Sequence, residues 1–273
     1  MVYLYKIMSG NEVDDSLYYM FFRTVQSNAI KTLVEGLKDI VTDVNFNVSS
    51  GGIRVTAIDN KNVTMANLNL VANGFEYFHS SGKMNLGINM TSLNVFIKSV
   101  GNNDLLSMYV EKKDETKLNI VIENKEKNKK IKSVLRLLDL DYEEYSIPDI
   151  KFDSVIKLPA NDFQKYCKDL SNISDTLIIK NRNKEFILSA EGDSGSTDII
   201  LGETLSGVEF NNLSGDNFEG HFNMKYILMF IKNSNLCTNV EIFLKEDHPM
   251  ILVYSVASLG SLKFVLAPKI VET

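Results

Sequence analysis

The chain has 273 residues, 44% of them hydrophobic, and a formal net charge of −6 from 29 basic and 35 acidic side chains. That length and apolar content supply one large or two modest cores, and the acidic balance excludes a protein that coats nucleic acid with its whole surface. The most apolar run, 250–267, is broken by Ser255, Ser258, Gly260, Ser261 and Lys263, so no membrane partner is expected.

The opening MVYLYKIMSGNEVDD lacks a signal peptide's basic end, apolar stretch and small-residue cleavage site. Cys167 and Cys237 form no CxxC pair, so an intracellular chain with free thiols in a reducing compartment is expected. Next, Ile30, Leu33, Val34 and Leu37 recur at i, i+3, i+4 and i+7, the stripe of a short helix with Asn28 in the N-cap place. Val44, Phe46 and Val48, a turn at Ser49 to Gly52, then Ile53, Val55 and Ala57 alternate as a hairpin. Leu93, Phe96, Ile97 and Val100 mark a second helix behind Thr91.

KNKKIKSVLR, residues 127–136, sets Ile131 and Val134 among Lys127, Lys129, Lys130, Lys132 and Arg136, and predicts a basic edge strand closing the first half. LLDLDYEEYSIPDIKF, 137–152, is acidic and holds Pro148, which predicts an exposed connector. Its apolar Leu140, Tyr145 and Ile147 need cover, from core packing or from a bound peptide.

The second half repeats the plan. Phe163, Tyr166, Cys167 and Leu170 mark a helix behind Asn161. A hairpin follows with Leu177 and Ile179, a turn at Asn181 to Asn183, then Phe186, Leu188 and Ala190. AEGDSGSTDIIL, 190–201, carries Glu191, Asp193 and Asp198 ahead of Ile199 and Leu201, an edge of negative sign. MKYILMFIKN, 224–233, places Met224, Ile227, Leu228 and Ile231 on one face of a helix capped by Asn223, with Lys225 and Lys232 seven residues apart. Ile251 and Val253, a turn at Gly260, then Leu262, Phe264 and Leu266 end the chain as a hairpin.

Ile30 to Phe163 is 133 positions and Leu93 to Met224 is 131, the mark of a duplicated domain. Strands outnumber helices, which predicts an α+β architecture with helices on one side of antiparallel sheets. Counted from each helix's first anchor, Lys31 and Lys225 fall at +1, Lys98 and Lys168 at +5, Lys38 and Lys232 at +8, and Lys165 at +2. At about 100° per residue the first three sets share a flank. Any one such flank is an ordinary solvated face, and Glu35, Asp162 and Asp169 dilute these. Their recurrence in an acidic chain is what points to a polyanion. The oppositely charged edges would also allow a head-to-tail contact between copies, closing into a ring if the rotation fits.

LVEGLKDIVTDVNFNVSSGGIRVTAID, LLDLDYEEYSIP, FQKYCKDLSNISD and LGSLKFVLAPKI, in that chain order, together resemble the proliferating cell nuclear antigen family of DNA sliding clamps, a similarity that runs from about Met20 to Val271. The resemblance implies duplicated clamp domains at 20–136 and 152–273, a connector at 137–151 and an added segment at 1–19. It also implies a homotrimeric ring with antiparallel sheets outside and two helices per domain lining a channel for double-stranded DNA. The channel cations would be Lys31, Lys38, Lys98, Lys165, Lys168, Lys225 and Lys232, with Thr32 and Val95 standing where the family often has lysine. Copies would meet through Lys129, Ile131, Lys132, Ser133 and Arg136 on one edge and Asp193, Thr197, Asp198 and Ile199 on the other. A groove lined by Ile58, Val63, Tyr145, Ile147, Pro148, Pro249, Val265, Ala267, Pro268 and Ile270 would take short peptides of a DNA polymerase, clamp loader, ligase or nuclease. Asn62 and Val265 depart there from the usual histidine and aromatic. The expected location is the nucleus, or a cytoplasmic replication site for a viral protein.

No catalysis, cofactor or metal is expected. A nuclease-like site would use Asp139, Asp141, Glu143 and Glu144, but carboxylates on an exposed connector lack rigid support. His79, His221 and His248 are scattered, and GxSxG, GxGxxG and GxxxxGK[ST] motifs are absent. The nearer alternative is a monomeric or dimeric processivity factor of the same fold that clings to DNA by charge alone.

Overall fold

In the computed structural model, which describes residues 13–141, 150–182, 185–205, 207–213 and 217–270, the four apolar stripes become four helices. Helix α1 (Ser27–Leu37) buries Ile30, Leu33, Val34 and Leu37. Helix α2 (Met90–Ile97) buries Leu93 and Ile97, α3 (Ala160–Leu170) buries Phe163, Cys167 and Leu170, and α4 (Met224–Phe230) buries Met224, Ile227 and Phe230.

Their starts differ from the pattern reading. Asn223 does cap α4, accepting from the Lys225 N–H at 3.0 Å, but Asn89 rather than Thr91 caps α2, accepting from the Ser92 N–H at 2.8 Å. Helices α1 and α3 start behind Gln26 and Pro159 without a side-chain cap bond, so Asn28 and Asn161 lie inside the first turn. The reason is local: strands β6 (Met84–Asn89), β10 (Ser154–Pro159) and β15 (Asn217–Asn223) run straight into α2, α3 and α4, so the end of the strand fixes the helix start.

Helix α4 is also shorter than expected. It ends at Phe230 and continues as a 3-10 turn, Ile231–Leu236, so Lys232 does not share an α-helix with Lys225. Buried Asn233 and Ser234 donate back to the carbonyls of Phe230 and Ile231, at 3.2 and 2.7 Å, and compete with the helical ladder.

The chain forms two compact units. The first takes Met1–Ala57, Asn67–Glu144 and Val256–Ser261; the second takes Ile58–Ala66, Tyr145–Ser255 and Leu262–Thr273. In the first unit, β1 (Tyr18–Thr24), β5 (Tyr77–Ser80), β7 (Leu105–Glu111), β8 (Asp114–Asn124) and β9 (Lys129–Arg136) form an antiparallel sheet in the order β5-β1-β7-β8-β9. Strands β2 (Asp43–Ser49), β3 (Gly52–Ile58) and β4 (Thr64–Val71) continue with β6 in the order β4-β3-β2-β6. The expected hairpin is present, with Ser49 opposite Gly52 and Phe46 opposite Val55. Gly52 holds φ at +132°, and a Cβ there would meet the Leu70 carbonyl at 1.9 Å, so only glycine fits. Met20, Phe22, Leu33, Leu68 and Leu118 pack around a void of about 30 Å³.

In the second unit, β14 (Glu209–Leu213), β10, β16 (Asn239–Leu244), β17 (Met250–Val256) and β18 (Gly260–Leu266) lie in that order. The other sheet runs β13-β12-β11-β15, with β11 (Thr176–Arg182), β12 (Glu185–Gly192) and β13 (Gly195–Gly202). Asn181 is a strand residue, not a turn: it is buried and donates to the Ser154 hydroxyl at 2.9 Å. The inward face of β17 is Met250, Leu252, Tyr254 and Val256, one residue out of phase with the expected Ile251 and Val253. Period-two reading had no contrast there, because the strand is apolar on both faces. The Phe230 ring stacks on Phe264 with centroids 4.4 Å apart at the centre of this core.

Candidate nucleic-acid interface and partner groove

The lysines selected by the common helical frame do not share one environment. In the first unit Lys31 is half-buried, and its ammonium donates to the Val100 carbonyl at 3.2 Å, beyond the C-terminal end of α2. A cation suits that end of the helix dipole. Lys38, at the end of α1, pairs with Asp39 at 2.9 Å. Lys98, next to α2, is exposed, and Val95 on the same helix is 52% exposed. In the second unit Lys165, Lys168, Lys225 and Lys232 are all exposed. Lys225 and Lys232 line an open hollow of about 460 Å³ together with Ser171, Ser174, Asp175 and the apolar Met224, Leu228 and Met229. The two serines lie in the segment between α3 and β11. Sequence reasoning passed over them because they read as an ordinary helix exit.

The two charged edges are both outer strands of their sheets, β9 in the first unit and β13 in the second. On β9 the Lys129 ammonium turns inward and pairs at 2.6 Å with Asp104, whose side chain is 1% exposed. Asp104 also accepts from the Asn124 amide at 2.7 Å and the Gly101 N–H at 2.9 Å. Burial would raise its carboxyl, but the Lys129, Asn124 and Gly101 bonds outweigh that and hold it below the usual carboxylate value. Lys130 pairs with Glu123 at 2.7 Å. Lys132 and Arg136 remain exposed, and half-exposed Ile131 and Ser133 stand opposite Ile122 and Ile120 of β8. On the other edge Asp193, Thr197 and Asp198 are exposed, and Ile199 is half-exposed opposite Leu188.

Of the groove residues, Tyr145, Ile147 and Pro148 lie outside the described residues, as do Glu143 and Glu144. The others belong to the second unit. Ile58 and Val63 flank a turn organised by Asp59, whose Oδ1 accepts from the N–H groups of Val63 and Thr64 at 2.8 and 2.9 Å. The Thr64 hydroxyl donates to the Val265 carbonyl at 2.8 Å, and the Ala267 N–H donates to the Val63 carbonyl at 3.1 Å. Ile58, Val63, Val265 and Ala267 are thereby held close together and half-exposed, Pro249 is half-exposed, and Pro268 and Ile270 are exposed. The tail is fixed by Lys269, whose N–H donates to the His221 carbonyl and whose ammonium donates to the Thr176 hydroxyl at 2.6 Å.

Residues 20–145 match the family "Proliferating cell nuclear antigen, N-terminal domain", and residues 146–269 match its C-terminal domain. The chain belongs to the proliferating cell nuclear antigen family. A similar protein, "Probable DNA polymerase sliding clamp 1" of Paramecium bursaria Chlorella virus 1, is 35% identical over 260 residues, covering 94% of this chain and 99% of the relative.

Sliding clamps of the proliferating cell nuclear antigen family are not enzymes, which sets aside the nuclease reading of the connector carboxylates. The two family domains fold here as α+β units with antiparallel sheets and two helices each among the described residues. As a member of this family the chain carries the recurring helices, and the structure adds that Lys31 and Lys38 are tied to the protein. It also adds Asp59 and its partner Tyr226, whose hydroxyl donates to Asp59 Oδ2 at 2.7 Å. No sequence pattern linked these two, because they are 167 positions apart.

Proposed function

We propose that this chain is a DNA sliding clamp and polymerase processivity factor that encircles double-stranded DNA as a head-to-tail homotrimer. The observation that carries the reading is the row of exposed lysines, Lys98, Lys165, Lys168, Lys225 and Lys232, on or beside the helices of a chain whose net charge is −6. Contacts from flexible ammonium groups to phosphates are sequence-independent and salt-screened, so they hold the duplex while permitting movement along it. Retention would come from closure of the ring rather than from tight binding.

Closure would use the exposed groups of the two edges, Lys132 and Arg136 of one copy against Asp193 and Asp198 of the next, with Lys129, Ile131, Ser133, Thr197 and Ile199 forming the surrounding contact. The domain plan is 20–136 and 152–273 with a connector at 137–151, and 1–19 as an added segment. The groove around Ile58, Val63, Pro249, Val265, Ala267, Pro268 and Ile270, completed by Tyr145, Ile147 and Pro148, would receive a short helical turn from a polymerase, clamp loader, ligase or nuclease. The site of action is the nucleus or a cytoplasmic replication site.

Light scattering measures the assembly directly, and a mass of three chains is expected. Retention on nicked circular duplex compared with linear duplex then separates encirclement from clinging. Protein loaded on the circle should remain in high salt, while protein on the linear form runs off its ends. Equal retention on both, from a monomer or dimer, would replace the ring with the charge-only alternative.

A further inference from the structure

We propose that Tyr226 and Asp59 are positioning residues for the partner groove: helix α4, through the Tyr226 hydroxyl, sets the place of the turn that presents Ile58 and Val63. This rests on the groove reading above and names residues that lie behind the groove rather than in it.

The turn joins β3 to β4, neighbouring strands of one sheet. Asp59 donates its N–H to the Thr64 carbonyl at 3.0 Å and accepts from the Asn62 N–H at 2.9 Å, while Asn62 sits in the left-handed region at φ +55°. The Asp59 side chain, only 9% exposed, accepts from the N–H groups of Val63 and Thr64 on Oδ1 and from the Tyr226 hydroxyl on Oδ2. Tyr226 lies in the first turn of α4 and is itself buried, next to exposed Lys225. A carboxylate that accepts several bonds is a strong local organiser, because each bond is charge-assisted.

The electrostatics keep both partners in the required state. Burial opposes the charge on Asp59, but the Thr64 N–H, the Tyr226 hydroxyl and the Val63 and Lys61 N–H groups hold its carboxyl below the usual value. Burial, then the bond to Asp59 and its charge, push the Tyr226 hydroxyl up to about 12. Near neutral pH the phenol is therefore a donor and the carboxylate an acceptor.

Without the phenol, Oδ2 loses the hydroxyl that donates to it, and the turn is held less firmly. That loosening reaches Val265 and Ala267, because Thr64 and Val63 are the residues bonded to them.

Tyr226→Phe removes the hydroxyl and keeps the ring. The probe is a synthetic peptide carrying one helical turn with an apolar residue and two aromatic residues, titrated into the full chain by calorimetry. We expect about tenfold weaker binding at pH 7. As pH falls, Asp59 should take its proton at a higher pH in the variant than in the wild type, because one of the bonds that hold its carboxyl down is gone, so acid weakens binding earlier in the variant. Val63→Ala should weaken binding without that earlier acid-side loss, since it removes only contact surface. Independently of any peptide, amide hydrogen exchange at Val63 and Thr64 should quicken in Tyr226→Phe. Equal affinity, a pH profile that matches the wild type and unchanged exchange would overturn the positioning role and leave the groove standing. A wild-type chain that ignores the peptide would remove the groove and this proposal together.

Discussion

In the unit that holds α1 and α2, Lys31 and Lys38 are turned onto the protein, one to a carbonyl at 3.2 Å and one to Asp39 at 2.9 Å. In the unit that holds α3 and α4, Lys165, Lys168, Lys225 and Lys232 all reach solvent, two of them around an open hollow with Ser171 and Ser174. The same cationic spacing in a duplicated chain thus serves two ends. A lysine bonded to the structure must give up that bond, or share it, before it neutralises a phosphate, whereas exposed Lys165, Lys168 and Lys225 give up chiefly water and rotamer freedom. The basic edge repeats the division, with Lys129 bound to buried Asp104 while Lys132 and Arg136 stay exposed.

The sharpest way to break this contrast is Asp104→Ala, which leaves Lys129 without its anion and Asn124 and Gly101 without an acceptor. The expected loss is about 3 kcal/mol, the low end for a buried pair because Lys129 is partly solvated. Urea unfolding followed by hydrogen exchange should place that loss in the first unit. The effect is pH-dependent. The Asp104 carboxyl lies below its ordinary 3.8, so its stabilisation is complete above that value and is lost as pH falls through the lower folded value. Acid should therefore destabilise the wild type more steeply than Asp104→Asn.

A smaller effect tests the division on DNA. Alanine at Lys165, Lys168, Lys225 and Lys232 should weaken duplex binding about tenfold at low salt and flatten its dependence on salt, by about 0.9 in slope for each cation that meets a phosphate. The same change at Lys31 and Lys38 should alter the slope far less. Equal changes for both sets would mean that the internal bonds do not hold once DNA is present.

What the sequence made legible follows from contrast along the chain. The helical stripes at Ile30 to Leu37 and Phe163 to Leu170 stood out because polar residues separate the apolar ones, and both stripes are buried except half-exposed Tyr166. The phase of β17 did not, because its two faces are both apolar. The break after Phe230 escaped notice because Asn233 and Ser234 read as surface residues until the fold buries them. Asp104 lies 25 positions from Lys129 and reads as a loop carboxylate, and Tyr226 reads as the polar tip of a surface helix. Local periodicity carries the elements and the family stretches carry the identity, but pairings across the sequence appear only when the chain is folded.

The smallest effect is Lys31→Ala, and it discriminates well because the two roles of Lys31 give different outcomes. If the bond to the Val100 carbonyl is its main work, the variant loses about 1 kcal/mol of stability and retains most of its DNA affinity. A lysine serving phosphates would show the reverse, with unchanged unfolding and a shallower salt slope. Lys31→Met, which keeps the apolar stem but no donor, separates packing of the stem from the bond itself. We expect Lys31→Met to lose nearly as much stability as Lys31→Ala, because it keeps the stem but removes the donor to the Val100 carbonyl just beyond the end of α2.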